Sequence, residues 1–209
     1  MKLAWYVSLV AQALLALTLW EPERRNWFVR YLVVALAISA IRIQFSSQLA
    51  GRDYWYAWTA TEPLLIGLQF LAVEQATRGT SRDLLEIAII MAVSFTLWAF
   101  LLSSDNWPIL RRASLLMKQA GTFGCWSLLF IPLAVEGERA HTNVWMFSYF
   151  TINGLSLVAA QATNTQASIQ MVSTVHLSLV ALLYSMWTAH TLWAQFRPKV
   201  QVYARGSSR

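Results

Sequence analysis

Seven apolar stretches fill almost the whole of this chain, and several carry an ionisable residue deep inside the apolar run. Nothing else in the sequence narrows the possible folds as much. A span of bilayer needs about 20 mostly apolar residues. The stretches Leu3–Trp20, Trp27–Leu49, Tyr54–Ala76, Leu84–Ser103, Arg112–Val135, Thr142–Thr163 and Ile169–Phe196 meet that length. The separators carry turn or charge signals, among them Glu21-Pro22-Glu23, Gly51-Arg52-Asp53, Asp105-Asn106-Trp107-Pro108 and Glu136-Gly137-Glu138. They are too short to hold a second domain. The expected architecture is an all-α bundle of seven transmembrane helices over residues 1–197, followed by a short basic cytoplasmic tail, 198–209.

Composition agrees. Charged residues are 12% of the chain and apolar ones 57%, whereas a soluble domain carries about 25% charge. The net charge of +6 lies in short loops and the tail and reports orientation, not nucleic-acid binding. One side collects Arg24, Arg25, Arg78, Arg82, Arg139, Arg197, Lys199, Arg205 and Arg209, and the other Lys2, Arg52, Arg111 and Arg112. The richer side is cytoplasmic by the positive-inside rule, which puts the N-terminus outside, although Arg111-Arg112 run against it. The first stretch shows no small-x-small cleavage site and reads as a retained helix. The 11 Trp and 7 Tyr are expected largely at lipid–water boundaries. A single cysteine, Cys125, excludes an intrachain disulfide.

The charges inside the apolar runs mark the candidate site. At 1.5 Å per residue, Arg42 falls roughly 9 Å, Glu62 roughly 12 Å, and Lys118 and His176 roughly 9–10 Å from the outer ends of their spans. Each charge at the bilayer centre costs about 2.5–3.5 kcal/mol, so these side chains are expected to face inward and pair. Polar residues three or four positions away extend the same faces: Ser39 and Ser46 with Arg42, Thr59 with Glu62, Ser114 and Thr122 with Lys118. Gln69, two turns from Glu62, continues its face. Gln12 aligns with Ser8, and Asn153 with Ser156. The candidate ligand-binding residues are Arg42, Glu62, Lys118, His176, Asn153 and Gln12. Two cations face one carboxylate in this set. An anionic ligand, a water-filled cavity or a neutral lysine resolves that excess. Buried ion pairs also hold membrane helices together, so an Arg42–Glu62 bridge with a purely structural role stands beside the binding reading. Pro63, next to Glu62, is expected to kink the third span. Glu74, Glu86 and His190 lie near cytoplasmic ends, where snorkelling accounts for them.

Other chemistry finds little footing. Span seven has no lysine for a retinal Schiff base. His176 and His190 sit at opposite ends of one span, unlike the matched pair that haem requires. No metal motif, nucleotide motif or catalytic triad is evident, and no cofactor is indicated.

The run Tyr54-Trp55-Tyr56-Ala57-Trp58…Glu62, the opening Trp27…Arg30-Tyr31 with Arg42 further on, and Lys118-Gln119-x-Gly121 resemble a family of small, uncharacterised bacterial seven-helix membrane proteins. That resemblance implies a multi-pass protein of the bacterial inner membrane and carries no known activity. The leading expectation for function is small-ligand binding or sensing through the outer polar cluster, with a membrane or cytoplasmic protein partner taking the signal onward. A small-solute transporter and a structural or assembly subunit are the alternatives.

Overall fold

The computed structural model describes residues 2–21, 26–45, 52–78, 107–136, 141–162 and 166–196. At 2, 45, 52–60, 78, 107–114, 131–136, 141–143 and 166 it describes the backbone alone. These residues are all-helical: α1 (Lys2–Thr18), α2 (Trp27–Phe45), α3 (Arg52–Arg78), α4 (Trp107–Glu136), α5 (His141–Ala162) and α6 (Gln166–Phe196). The expected fourth span, Leu84–Ser103, lies outside the described residues, as does the tail. Two described stretches, Trp27–Gln44 and Ala167–Phe196, are long and apolar enough to cross a membrane, and Leu3–Thr18 is a shorter apolar helix.

Local chemistry sets several boundaries. Asn26 caps α2: its Oδ1 accepts from the amides of Phe28 and Val29 at 3.0 and 3.3 Å. The Trp27 amide donates to Gln75 Oε1 of α3 at 2.8 Å. The open amides of the first turn are thereby satisfied, partly from a neighbouring helix. At the end of α1 the Trp20 amide bonds to Leu17, tightening the last turn before Glu21-Pro22. Helix α4 starts at Trp107, earlier than the expected Arg112. Its Pro108 stands in the first turn, where a missing N–H costs nothing.

Helices adjacent in this order pack together, and α6 closes the ring on α1. Contact order gives their directions. Trp27, Tyr31 and Arg42 of α2 meet Gln75, Gln69 and Glu62 of α3 in reverse order, so this pair is antiparallel. Lys118, Gly121 and Gly124 of α4 meet Glu62, Ile66 and Phe70 of α3 in the same order, so that pair is parallel. Helix α5 runs antiparallel to α4 through Gln161–Gln119 and Thr151–Trp126. It also runs antiparallel to α6 through Ser156–His176, Tyr149–Tyr184 and Trp145–Trp187.

Large apolar side chains line the outer surface of the described helices as well as their interior. On α1, Leu3, Val7, Val10, Leu14 and Leu17 form an exposed stripe, while Ser8 and Gln12 are buried. On α6, Met171, Val175, Leu179, Leu182, Met186 and Trp193 are exposed. The interior is apolar as well, built on Leu15, Leu32, Val73, Leu129, Met146 and Phe150. Within it sit Tyr31, Tyr149, Tyr184 and Trp187. A phenol fits the interior when a second polar group accepts or supplies its hydrogen bond.

Candidate functional site

Three helices deliver charge to one point. Lys118 Nζ of α4 lies 3.0 Å from Glu62 Oε1 of α3, and Arg42 Nη2 of α2 lies 3.2 Å from the same oxygen. The Glu62 side chain is 4% exposed, Arg42 12% and Lys118 21%, so the carboxylate is the innermost member. Arg42 Nη2 also donates to Thr61 Oγ1, the neighbour of Glu62 on α3. One guanidinium nitrogen thus holds the hydroxyl and the carboxylate of adjacent residues. Such charge-assisted bonds are roughly twice as strong as neutral ones. Helical geometry makes the convergence possible: α2 opposes α3 and α4 runs beside it, so matched depth becomes contact.

His176 of α6 belongs to the same end of the bundle. Its Nδ1 is 2.9 Å from Ser156 Oγ of α5, and its ring is electrostatically coupled to Lys118. Gln119, next to Lys118, accepts from Gln161 Nε2 at 2.9 Å. Five of the six described helices therefore supply polar groups to this end.

Two of the expected site residues have other engagements. The Gln12 amide donates to the Leu32 carbonyl at 2.7 Å, a buried tie between α1 and α2. The Asn153 amide donates to the Tyr149 carbonyl of its own helix at 2.8 Å. Glu74 is also buried, at 8% exposure. Its carboxylate does not reach outward past the helix end, which corrects the snorkelling reading. His190 is exposed and lies against Trp145.

A second polar group lies deeper. Gln69 Nε2 donates to Tyr31 Oη at 3.0 Å, and Tyr31 Oη is hydrogen-bonded to Tyr149 Oη. The Tyr149 ring stacks on Tyr184 at 5.8 Å. Tyr149 is the hub, joining α2, α5 and α6 in the middle of the bundle. Gln69 connects this group to the Glu62 face of α3. We expect Tyr149→Phe to lower stability by about 1 kcal/mol, because the buried Tyr31 hydroxyl loses a hydrogen-bond partner. Chemical unfolding in detergent measures it, and a change within error would show that the tyrosines pack without mutual hydrogen bonding.

Sequence reasoning missed this trio. The available signal was Gln69, which lies on the Glu62 face and needs a partner. Among the described residues, no group of three His, Cys, Asp or Glu is placed to hold a metal ion. No protein-family model, curated protein or solved structure matches the chain.

Proposed function

We propose that this chain is a multi-pass membrane protein that binds a small ligand through the polar layer at one end of its bundle, as a sensor or as the ligand-presenting part of a membrane assembly. The observation that carries the reading is the convergence of Arg42 and Lys118 on one enclosed carboxylate oxygen. Ionisable groups inside a membrane bundle are functional by default, because each is expensive to bury.

Three observations support the membrane setting. Large exposed apolar stripes on α1 and α6 mark a surface that contacts lipid or protein. Among the described side chains, only Glu21 and Arg30 are charged and exposed, whereas Arg42, Glu62, Glu74 and Lys118 are mostly enclosed. Exposed hydroxyls on helix surfaces bond back to their own helix: Thr18 to Leu14, Thr174 to Gln170 and Ser178 to Thr174. That is how a hydroxyl is satisfied where water is absent.

The seven-span plan rests on the parallel packing of α3 and α4. Parallel neighbours need a return crossing between them, and the apolar stretch 84–103 has the length for it. With the N-terminus outside, the charged triad occupies the outer half of the bundle and the basic tail is cytoplasmic. A fluorescent reporter fused to the C-terminus should be active in bacterial cells and a periplasmic phosphatase reporter silent. The reverse pattern would sink the orientation. A bacterial inner-membrane location, membership of the small seven-helix family, and a membrane or cytoplasmic protein partner complete the reading.

Transport is the second reading. The deeper Gln69–Tyr31–Tyr149 group, with Tyr184 stacked on it, favours it, because it carries polarity toward the middle of the bundle. Native mass spectrometry of the purified protein tests the binding proposal. A co-purified small molecule, lost in Lys118→Met, is the expected result. An empty spectrum from every mild detergent, together with no stabilisation by any member of a metabolite panel, would leave the cluster as helix glue.

A further inference from the structure

The triad contains its own ligand. Glu62 Oε1 stands where two cationic groups from different helices converge, at 3.0 and 3.2 Å. That is the geometry in which a guanidinium and an ammonium receive an oxyanion. We propose that Glu62 is an internal stand-in for the oxyanion of a small ligand, a carboxylate or phosphate, and that this ligand enters opposite Lys118 and Arg42 as Glu62 takes up one proton. The inference rests on the ligand-binding reading above and gives it a chemical class and a coupling.

The coupling follows from distance. An oxyanion that bridges the same two cations lies within hydrogen-bond reach of the Glu62 carboxylate. In the proposed complex the two oxyanions, brought within hydrogen-bond reach of each other, share one proton. An anion bound without a proton, with both carboxylates balanced by the two cations, is the competing outcome of the test below. The balance is simple. One anion enters, one proton comes from solvent, and the carboxylate becomes a neutral acid that donates a hydrogen bond to its replacement. No covalent bond other than the O–H forms. Pro63 follows Glu62 and cannot donate to the preceding turn, so α3 is less constrained where the side chain must yield.

Among the described residues, the groups facing Glu62 are known. Arg42 faces it from α2 and Lys118 from α4. Tyr31 of α2 lies further along α3, where its hydroxyl is held by Gln69 and Tyr149. His176 of α6 is coupled to Lys118 and held by Ser156. Lys118 and His176 are thus the other groups in this layer able to impose pH dependence, and a pH dependence that persists in Glu62→Gln would assign the proton to one of them.

The test uses purified full-length protein in detergent, with acetate and inorganic phosphate as probes and chloride as the ionic-strength control. In weakly buffered solution, adding a probe should draw about one proton per bound anion from a pH dye. The apparent Kd should fall by up to about tenfold per unit of falling pH, the limit for one linked proton. Glu62→Gln, which has no carboxylate to displace, should bind the probe more tightly and without pH dependence. The anion should raise its melting temperature more than that of the native protein. His176→Asn should keep the pH dependence, and Lys118→Met should lose binding. Anionic phospholipid added in place of the soluble probes gives the same proton uptake only if the oxyanion is a lipid headgroup.

Anion binding that is lost in Lys118→Met but draws no proton, and is unchanged in Glu62→Gln, overturns the coupling and leaves the ligand site standing. Loss of the pH dependence in His176→Asn assigns the proton to the histidine and overturns the role of Glu62. No effect of any oxyanion from pH 5 to 8 overturns the oxyanion class. The metabolite panel still decides the broader binding reading. If Glu62→Gln does not fold, infrared difference spectra of the native protein on addition of phosphate decide: a new protonated-carboxyl band supports Glu62 as the acceptor, and proton uptake without one overturns it.

Discussion

Glu62→Gln should lower stability by about 3–5 kcal/mol, the usual result of removing one partner from a buried ion pair. The glutamate serves two cations at once, since Arg42 Nη2 and Lys118 Nζ both reach Oε1. A neutral amide still accepts a hydrogen bond, but it no longer balances either charge. Replacement of Glu62 and Arg42 together by leucine would recover a two-member pair. In a three-member cluster that double change strands Lys118, so recovery should be partial. The triple change Glu62→Leu, Arg42→Leu, Lys118→Met should recover most of the loss, because an apolar trio of similar volume has no desolvation cost. Urea or guanidinium unfolding in detergent across the cycle measures this. A double mutant as stable as the triple would show that Lys118 is not held by Glu62.

Much of that cluster was legible in the sequence because a charge inside an apolar run has few ways to be accommodated. Matched depth on Arg42, Glu62, Lys118 and His176 selects a layer, and the stripe residues select a face. Three of the four meet directly, whereas His176 is hydrogen-bonded to Ser156 of α5. The partners of neutral polar residues were not legible. Gln12 reaches a backbone carbonyl of α2, and every residue has a carbonyl, so composition says nothing about which one is used. Tyr31, Tyr149 and Tyr184 look like boundary residues because a phenol is amphipathic in either place. Their burial depends on which helices become neighbours, and on α5 sitting close enough for Tyr149 to meet both α2 and α6. Glu74 misled for a related reason. Its position near a helix end is compatible with snorkelling, but its rotation about α3 is set by packing and turns it inward. The helical fold itself was plain from the apolar lengths, and the burial of Ser8 and Gln12 on one face of α1 was foreshadowed by their spacing.

Gly121→Leu should cost about 3 kcal/mol and loosen the triad as well as the fold. A Cβ at this position would stand 2.9 Å from Ile66 Cγ2 and 3.2 Å from Ile66 Cγ1. Those atoms belong to a β-branched side chain anchored close to its backbone and fully enclosed, so they have little room to move. The axes of α3 and α4 are close here because glycine allows it, the role small residues play where membrane helices approach. Overpacking typically costs about 1–3 kcal/mol, and a leucine on a glycine contact belongs at the upper end. Gly121→Ala should give a smaller loss in the same direction. Gly124→Ala should be milder still: its Cβ would meet the far end of the Phe70 ring at 2.9 Å, and a ring tip can swing away. The consequence for the site follows from position. Gly121 is one turn beyond Lys118, and Ile66 is one turn beyond Glu62. Forcing the helices apart at Gly121 therefore lengthens the Lys118–Glu62 bond before it disturbs Arg42–Glu62, which is held from α2. In Gly121→Leu, the further loss caused by Lys118→Met should shrink toward zero, whereas the loss caused by Arg42→Leu should persist. Double-mutant cycles read the difference directly. Equal coupling of Gly121 to both cations would mean that the close approach of α3 and α4 does not set the geometry of the charged layer.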